Sequence, residues 1–248
     1  MPAVRLITIP FSHYCEKARW ALERCGIAYE EDGHLPIFHY VANRFVGAKR
    51  TVPVVVSEGT RITDSTEIVA WADSRRPGTL LPEDPALRAE ALALEDELDN
   101  TLGPATRRWA YFYLLPRRDL DHVLTRGVPR WQRLALKVTR PIAVGMMKRS
   151  LKIDAAGAER SRQKIEETFA LVSELLADGR RYLVGNRFSV ADLTFAALAA
   201  PVLLPREHPF GPPPLDEFPP AARAQIEAWR ATRAGQFALR IYADHRSV

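Results

Sequence analysis

The alternation of apolar and polar positions divides the chain into two unlike halves. Residues 4–10 (VRLITIP) are a β-branched run closed by proline, and a helical pattern follows at once. Ala18, Ala21, Leu22 and Cys25 recur at i, i+3, i+4 and i+7, which gives that helix one apolar face and places Cys25 in the core. Gly26 then stands where a left-handed C-terminal cap is wanted. Residues 27–30 predict a second strand, residues 34–49 an irregular stretch, and residues 52–56 (VPVVV) a buried strand. Glu58-Gly59-Thr60 reads as a tight turn into residues 61–63, which makes a hairpin. Asp64-Ser65-Thr66-Glu67 combines an Asx cap with a Glu three residues on and opens a helix that Arg76-Pro77-Gly78 stops. The order β-α-β, then β-β-α, describes a compact α/β unit.

Beyond it the strand signal disappears. Residues 77–85 (PGTLLPEDP) have the composition of a linker, and Asp84-Pro85 places a cap and a first-turn proline before a long helix. Residues 86–113 predict a helix kinked at Gly103-Pro104, and residues 155–177 an amphipathic helix. Ser189-Val190-Ala191-Asp192 is a capping box opening the apolar, central stretch 193–204, and a helix over 219–232 finishes the domain. The expected division is an α/β domain over 1–77, a linker over 78–85 and an all-helical domain over 86–248. Residues 117–151 fit least well, because Pro129 and Pro141 are expected to break helices there.

Composition adds exclusions. At 248 residues, 47% apolar and 26% charged, the chain is an ordinary globular sequence long enough to bury a core. The net charge of +5 is unevenly placed: residues 117–164 carry thirteen Lys/Arg against four Asp/Glu, so the remainder sums to −4. No basic and aromatic interleaving accompanies this stretch, so it reads as a solvated helical face and not as a nucleic-acid site, with peripheral membrane contact left open. Cys15 and Cys25 lack partners at metal-ligand spacing, and two cysteines build no disulfide framework. No metal site is expected. No uncharged apolar run approaches the roughly 18 residues a membrane span needs, and a cytoplasmic, reducing location is expected. Dinucleotide, P-loop and nucleophile-elbow patterns are absent from the sequence, and His122, His208 and His245 have no companions at catalytic spacing.

Candidate chemistry gathers after the first strand. Ser12 and Cys15 occupy the two positions of a C-x-x-C-type turn, serine in the first. In a thioredoxin-type β-α-β unit that turn begins a helix, where free N–H groups and the helix dipole favour an anion such as a thiolate. Val52-Pro53 puts a proline where a buried strand begins; a cis bond there would turn the preceding backbone groups outward, toward an extended peptide-like ligand.

Taken together, Ser12-x-x-Cys15, Thr51-Val52-Pro53-Val54 and Asp64-Ser65-Thr66 resemble the cytosolic glutathione transferase family, and residues 183–192 (LVGNRFSVAD) resemble its C-terminal-domain signature. The resemblance spans almost the whole chain and implies a thioredoxin-like N-terminal domain followed by an all-helical domain. It implies that Ser12 contacts the glutathione thiol, that the Val52 backbone beside Pro53 pairs with the cysteinyl part, and that Asp64 and Ser65 hold the γ-glutamyl end. Lys49 is implied as a partner of the glycyl carboxylate, with His34 and His39 weaker candidates in the same loop. Trp109, Tyr111 and Tyr113 are implied as walls of a pocket for a small hydrophobic electrophile, core packing being their alternative. Glutathione is then a cosubstrate, no permanently bound cofactor is implied, and the family resemblance suggests a homodimer. Ser189 and Asp192 match a folding cap.

Two alternatives stand beside serine-assisted transfer to an electrophile or peroxide. Cys15 could itself form a mixed disulfide with glutathione, as in a thiol-disulfide oxidoreductase. A noncatalytic ligand-binding or scaffolding protein could keep the same fold.

Overall fold

The computed structural model describes residues 4–246. Two compact units emerge among the described residues, one comprising residues 4–81 with 124–146 and the other 82–123 with 147–246.

In the first unit, β1 (Val4–Thr8), α1 (His13–Arg24), β2 (Glu30–Gly33), α2 (His39–Phe45), β3 (Val54–Ser57), β4 (Thr60–Ile62) and α3 (Ser65–Arg75) follow in sequence. The sheet order is β2-β1-β3-β4, with β2 parallel to β1 and the other pairings antiparallel. This is the thioredoxin-like arrangement expected of the N-terminal half. Ile7, Val54 and Ala42 form a small apolar core between sheet and α2, flanked by Val46, Val52 and Val56.

β2 begins at Glu30, at the end of the expected segment, and pairs in register with Arg5–Thr8; the Glu31 carboxylate accepts from Thr8 Oγ1 at 2.5 Å and from Arg19. The short α2 falls within the stretch read as irregular. Its pattern is inverted, since His39 and Asn43 face inward while Val41 and Phe45 are exposed. Helical periodicity in hydrophobicity therefore gave no signal.

The second unit is built on α4 (Pro85–Leu114), α7 (Ala155–Leu175), α8 (Val190–Leu203), α9 (Pro220–Ala231) and α10 (Arg233–His245), with the single-turn α5 (Asp121–Leu124) near its boundary. Asp84 caps α4 by accepting from the N–H groups of Ala86 and Leu87. The central helix is α8, buried on every side, with Phe195 against Phe169 and Phe237. The Ser189–Asp192 capping box is present, and Asp192 also accepts from the Leu183 N–H at 2.8 Å, tying the preceding loop to the helix. Thr232 ends α9 and starts a further helix, α10, by accepting from the Gly235 N–H. The helix expected over 219–232 is thus α9, and α10 is a further helix beyond it.

The last element is α6 (Arg130–Ser150). Pro141 lies inside it, correcting the expectation of a break there; a proline removes one backbone donor, and the remaining turns on both sides carry the helix through. Pro129 instead stands at its start, its carbonyl accepting from Gln132 and Arg133. Residues 124–146 join the α/β unit through close contacts. A Cβ on Gly33 would lie 2.3 Å from the Gly127 carbonyl oxygen, so only glycine permits that approach. Gln132, fully buried, accepts from the Leu35 N–H at 2.8 Å, and its amide nitrogen meets His34 Nδ1 at 2.7 Å.

Candidate functional site

The sheet register gathers the motif residues at one end of the α/β unit. Ile7 pairs with Val54 and Val55 with Ile62, so the turn after β1, the residues before β3 and the residues after β4 all lie at the same end. Ser12 belongs to the first, Val52 and Pro53 to the second, and Asp64 and Ser65 to the third.

Ser12 is the residue preceding α1 and is half-buried. Its backbone N–H donates to the Ile9 carbonyl at 2.9 Å, which closes the turn, but its hydroxyl makes no helix-capping bond. An interaction of that hydroxyl with the Cys15 thiol acts to lower the thiol's pKa. Cys15 is fully buried, and burial pushes its thiol up to about 11 despite the opposing charge of Arg19. At neutral pH Cys15 is therefore a neutral thiol, inside the fold. Cys25 is also buried, and its thiol is raised to about 11 by burial first and by Asp73 second.

Beneath the Ser12 turn lies an ion network that apolar periodicity does not reveal. Arg19, 1% exposed, binds Glu31 through Nε at 3.0 Å and Nη2 at 2.8 Å, and Glu16 through Nη1 at 3.2 Å. Burial opposes the charge on Arg19, but Glu31 and then Glu16 outweigh it and hold the guanidinium protonated. Nη2 also donates to the Pro10 carbonyl at 2.8 Å. The backbone two residues before Ser12 is thus fixed by a buried cation.

The Val52–Pro53 peptide is cis, and the loop before it is clamped from α2. Asn43 Nδ2 donates to the carbonyls of Lys49 at 2.6 Å and Thr51 at 2.8 Å, while His39 Nε2 meets the Arg50 carbonyl at 2.9 Å. Burial lowers the His39 pKa, consistent with a neutral ring in this role. His39 is thus engaged by the backbone, His34 by Gln132 and by Asp32 at 3.0 Å, and the Lys49 side chain is exposed.

Asp64 caps α3 by accepting from the Thr66 N–H at 2.8 Å, and Ser65 beside it is buried. The fully buried Lys17 of α1 reaches the same helix start, its Nζ donating to Thr66 Oγ1 at 3.3 Å. Lys17, Arg19 and Asn43 are structural contributors that the sequence pattern missed. Their roles depend on partners far along the chain, and only the inward-facing charge at Lys17 and Arg19, within an apolar helical pattern, hinted at them.

In the helical unit Trp109 is 1% exposed, lies tilted against Tyr113 and edge-on to Trp229, and donates from Nε1 to Gln225 Oε1 at 2.7 Å. This gives Trp109 a packing role in that unit's core. Tyr111 and Tyr113 are half-buried, and burial with the nearby Glu159 raises the Tyr113 hydroxyl pKa. Among the described residues no group of three or more His, Cys, Asp or Glu could hold a metal ion, and no helix is long and apolar enough to cross a membrane.

Residues 6–80 match the family described as glutathione S-transferase, N-terminal domain, and residues 155–231 match glutathione S-transferase, C-terminal domain. The chain belongs to the glutathione S-transferase family. Similar solved structures include the beta-etherase LigF from Sphingobium sp. strain SYK-6, at 18% identity and a TM-score of 0.61 over 96% of this chain and 99% of that one. A theta class glutathione S-transferase from the citrus canker pathogen Xanthomonas axonopodis pv. citri, with glutathione bound, is 20% identical with a TM-score of 0.59, covering 96% and 98%. A glutathione S-transferase from Xanthobacter autotrophicus Py2 is 16% identical with a TM-score of 0.61, covering 99% and 95%. At these identities the likeness shows a shared fold. No curated relative matches the sequence. As a glutathione S-transferase the protein is an enzyme, while residues 81–154, which include α6, lie outside both matched segments.

Proposed function

We propose that this transferase binds glutathione as a cosubstrate at the Ser12 end of the sheet and activates its thiol for attack on a small apolar electrophile or a peroxide. The observation that carries this reading is the contrast between Ser12, half-buried with a hydroxyl not used for capping, and Cys15, fully buried with a raised thiol pKa. A nucleophilic cysteine needs exposure and a lowered pKa, and Cys15 has neither. The thiol handled here is therefore that of glutathione, with the Ser12 hydroxyl donating to its sulfur.

The other positions follow the resemblance: Val52 offers its backbone to the cysteinyl part, Asp64 and Ser65 take the γ-glutamyl end, and Lys49 takes the glycyl carboxylate. Support comes from the common sheet end that these residues share and from the Asn43 and His39 clamps on residues 49–51. Tyr111 and Tyr113 are the proposed aromatic contacts of the electrophile, which would accept the thiolate's electron pair. Homodimerisation and cytoplasmic detoxification belong to the same reading and rest on the resemblance.

Magnitudes agree with serine-assisted activation. Lowering a thiol from about 8.5 by roughly two units requires near 2.7 kcal/mol of preference for the thiolate. One hydrogen bond to the anion contributes about 1.5–3 kcal/mol and a helix N-terminus roughly 0.3–1. The test is the ultraviolet thiolate absorbance of bound glutathione against pH, in the native protein, Ser12→Ala and Cys15→Ala. Ser12→Ala should raise the bound thiol pKa by about 1–2 units while Cys15→Ala leaves it low. Loss of the depressed pKa only in Cys15→Ala would move the chemistry to the cysteine, and an undepressed pKa in the native protein would favour a noncatalytic binder.

A further inference from the structure

α6 turns its apolar residues the wrong way for a core helix. Trp131, Leu134, Val138, Ile142 and Met146 are 59%, 63%, 81%, 68% and 49% exposed, while Gln132 on another face is fully buried. At 3.6 residues per turn those five side chains occupy one sector about 120° wide. Arg130, Arg133 and Lys137, also exposed, border that sector along one edge. The opposite edge adjoins the face that carries buried Gln132 and Ala143. Residues 122–153 contain eight Lys/Arg and no Asp or Glu.

We propose that α6 is a membrane-surface helix: its apolar sector enters the interfacial layer of an anionic bilayer, and Arg130, Arg133 and Lys137 contact the lipid headgroups beside it. An apolar stripe with a basic border is the pattern of helices that lie in the plane of such a surface. Charge decides between the possible occupants. In a contact between two copies of this stripe the helix brings no acidic residue to pair either basic border, and in the antiparallel arrangement the two borders converge, whereas an anionic leaflet supplies the complementary charge. The stripe also sits on the crown of a single helix, which suits a deformable lipid interface better than a peptide partner that needs a groove. The bonds from Gln132 to Leu35 and His34, with the ring of Phe38 against Trp131 at 5.5 Å, hold the start of α6 on the α/β unit, so the stripe is presented by a folded scaffold.

The test is co-sedimentation of the full chain with vesicles of phosphatidylcholine alone and of phosphatidylcholine mixed with phosphatidylglycerol. The native protein should partition to the mixed vesicles at least about tenfold better than to the neutral ones, and added salt should weaken that binding. Leu134→Asp combined with Val138→Asp should abolish it, and Arg133→Glu combined with Lys137→Glu should remove the preference for the anionic lipid. Both double variants should keep the native thermal transition and glutathione binding, which separates lost lipid contact from lost folding. No binding to the mixed vesicles at low salt, equal binding to both kinds of vesicle, or full binding by the Leu134→Asp/Val138→Asp variant would overturn the proposal. A native protein that self-associates through this stripe, dissociates in that variant and ignores lipid would overturn it in favour of a second copy.

Discussion

Helices α1 and α6 break the usual rule of helix amphipathicity in opposite directions. α1 buries Glu16, Lys17 and Arg19, whereas α6 exposes Trp131, Leu134, Val138 and Ile142. The rule that apolar side chains go inside follows from transfer energetics, and each exception requires a compensating partner. For α1 the partners are on hand: Glu31, the Pro10 carbonyl and Thr66 satisfy the buried cations, and they do so under the Ser12 turn and beside the start of α3. For α6, Phe38 lies against Trp131 at the start of the stripe, but Leu134, Val138 and Ile142 stay mostly exposed, so their compensation must come from outside the chain. A buried charge here signals an internal, positioning role; an exposed apolar stripe signals an external one.

The largest way to break this contrast is to remove the cation from α1. Arg19→Met should lower the unfolding free energy by about 3–5 kcal/mol, because Glu16 and Glu31 are then left without their counter-charge. Chemical denaturation checks this, and a loss below 1 kcal/mol would mean that water reaches the carboxylates and that the network is not the clamp described. Arg133→Met on α6 is the matched control, since a surface arginine without a buried partner should move stability by no more than about 0.5 kcal/mol.

A second substitution probes the inward face of α6. Gln132→Ala strips the Leu35 N–H of its acceptor in a buried setting and should cost about 1–3 kcal/mol. The same change should speed proteolysis within residues 124–146, because the Gln132 bonds attach this segment to the α/β unit. Unaltered stability and protection would show that packing at Gly33 and Gly127 is sufficient without the amide.

These sites also mark what the sequence could and could not reveal. Ser12, Val52-Pro53 and Asp64-Ser65 were legible because each motif is local: a turn, a strand start and a helix cap announce themselves within a few residues. The β-α-β and β-β-α order and the α8 capping box were legible for the same reason. Gln132 was not, since its value lies in a backbone group 97 residues away. Nor were Asn43 and His39, which sit on a helix whose inward face is polar and so defeats periodicity. Pro141 misled because a proline's missing donor argues against a helix interior, yet one lost bond in twenty-one residues did not outweigh the helix on either side.

The two regions meet near Asp32. It neighbours Glu31, the anchor of the α1 network, and its carboxylate pairs with Arg5 and with His34, which in turn meets Gln132 of α6. The His34 hydrogen bond, with Arg5 adding to it and burial opposing, holds the carboxyl at about 2 instead of 3.8. A depressed carboxyl favours the folded state above its unfolded pKa and loses that advantage as the pH falls through its folded pKa. The protein should therefore lose on the order of 1–2 kcal/mol between about pH 4 and pH 2 through this group alone. Denaturant midpoints of the native chain and Asp32→Asn across that range check it: the variant should show the shallower acid slope, and parallel slopes would remove Asp32 from the account.

The smallest expected effect is the most discriminating. Val138→Asp replaces the most exposed side chain of the α6 stripe, so in a chain that stands alone in solution it should change stability by no more than about 0.5 kcal/mol in either direction. A core valine replaced by aspartate would instead lose its buried area and leave a carboxylate in an apolar setting, several kcal/mol in all. Thermal unfolding of the purified chain therefore separates the two meanings of an apolar residue on this helix. If Val138→Asp is neutral in dilute solution, nothing in the free protein rewards the stripe, and its apolar character is matched to a surface the protein meets elsewhere. If it is strongly destabilising, α6 is covered by the protein's own mass, the external role assigned to it falls, and α1 and α6 become two forms of the same internal packing.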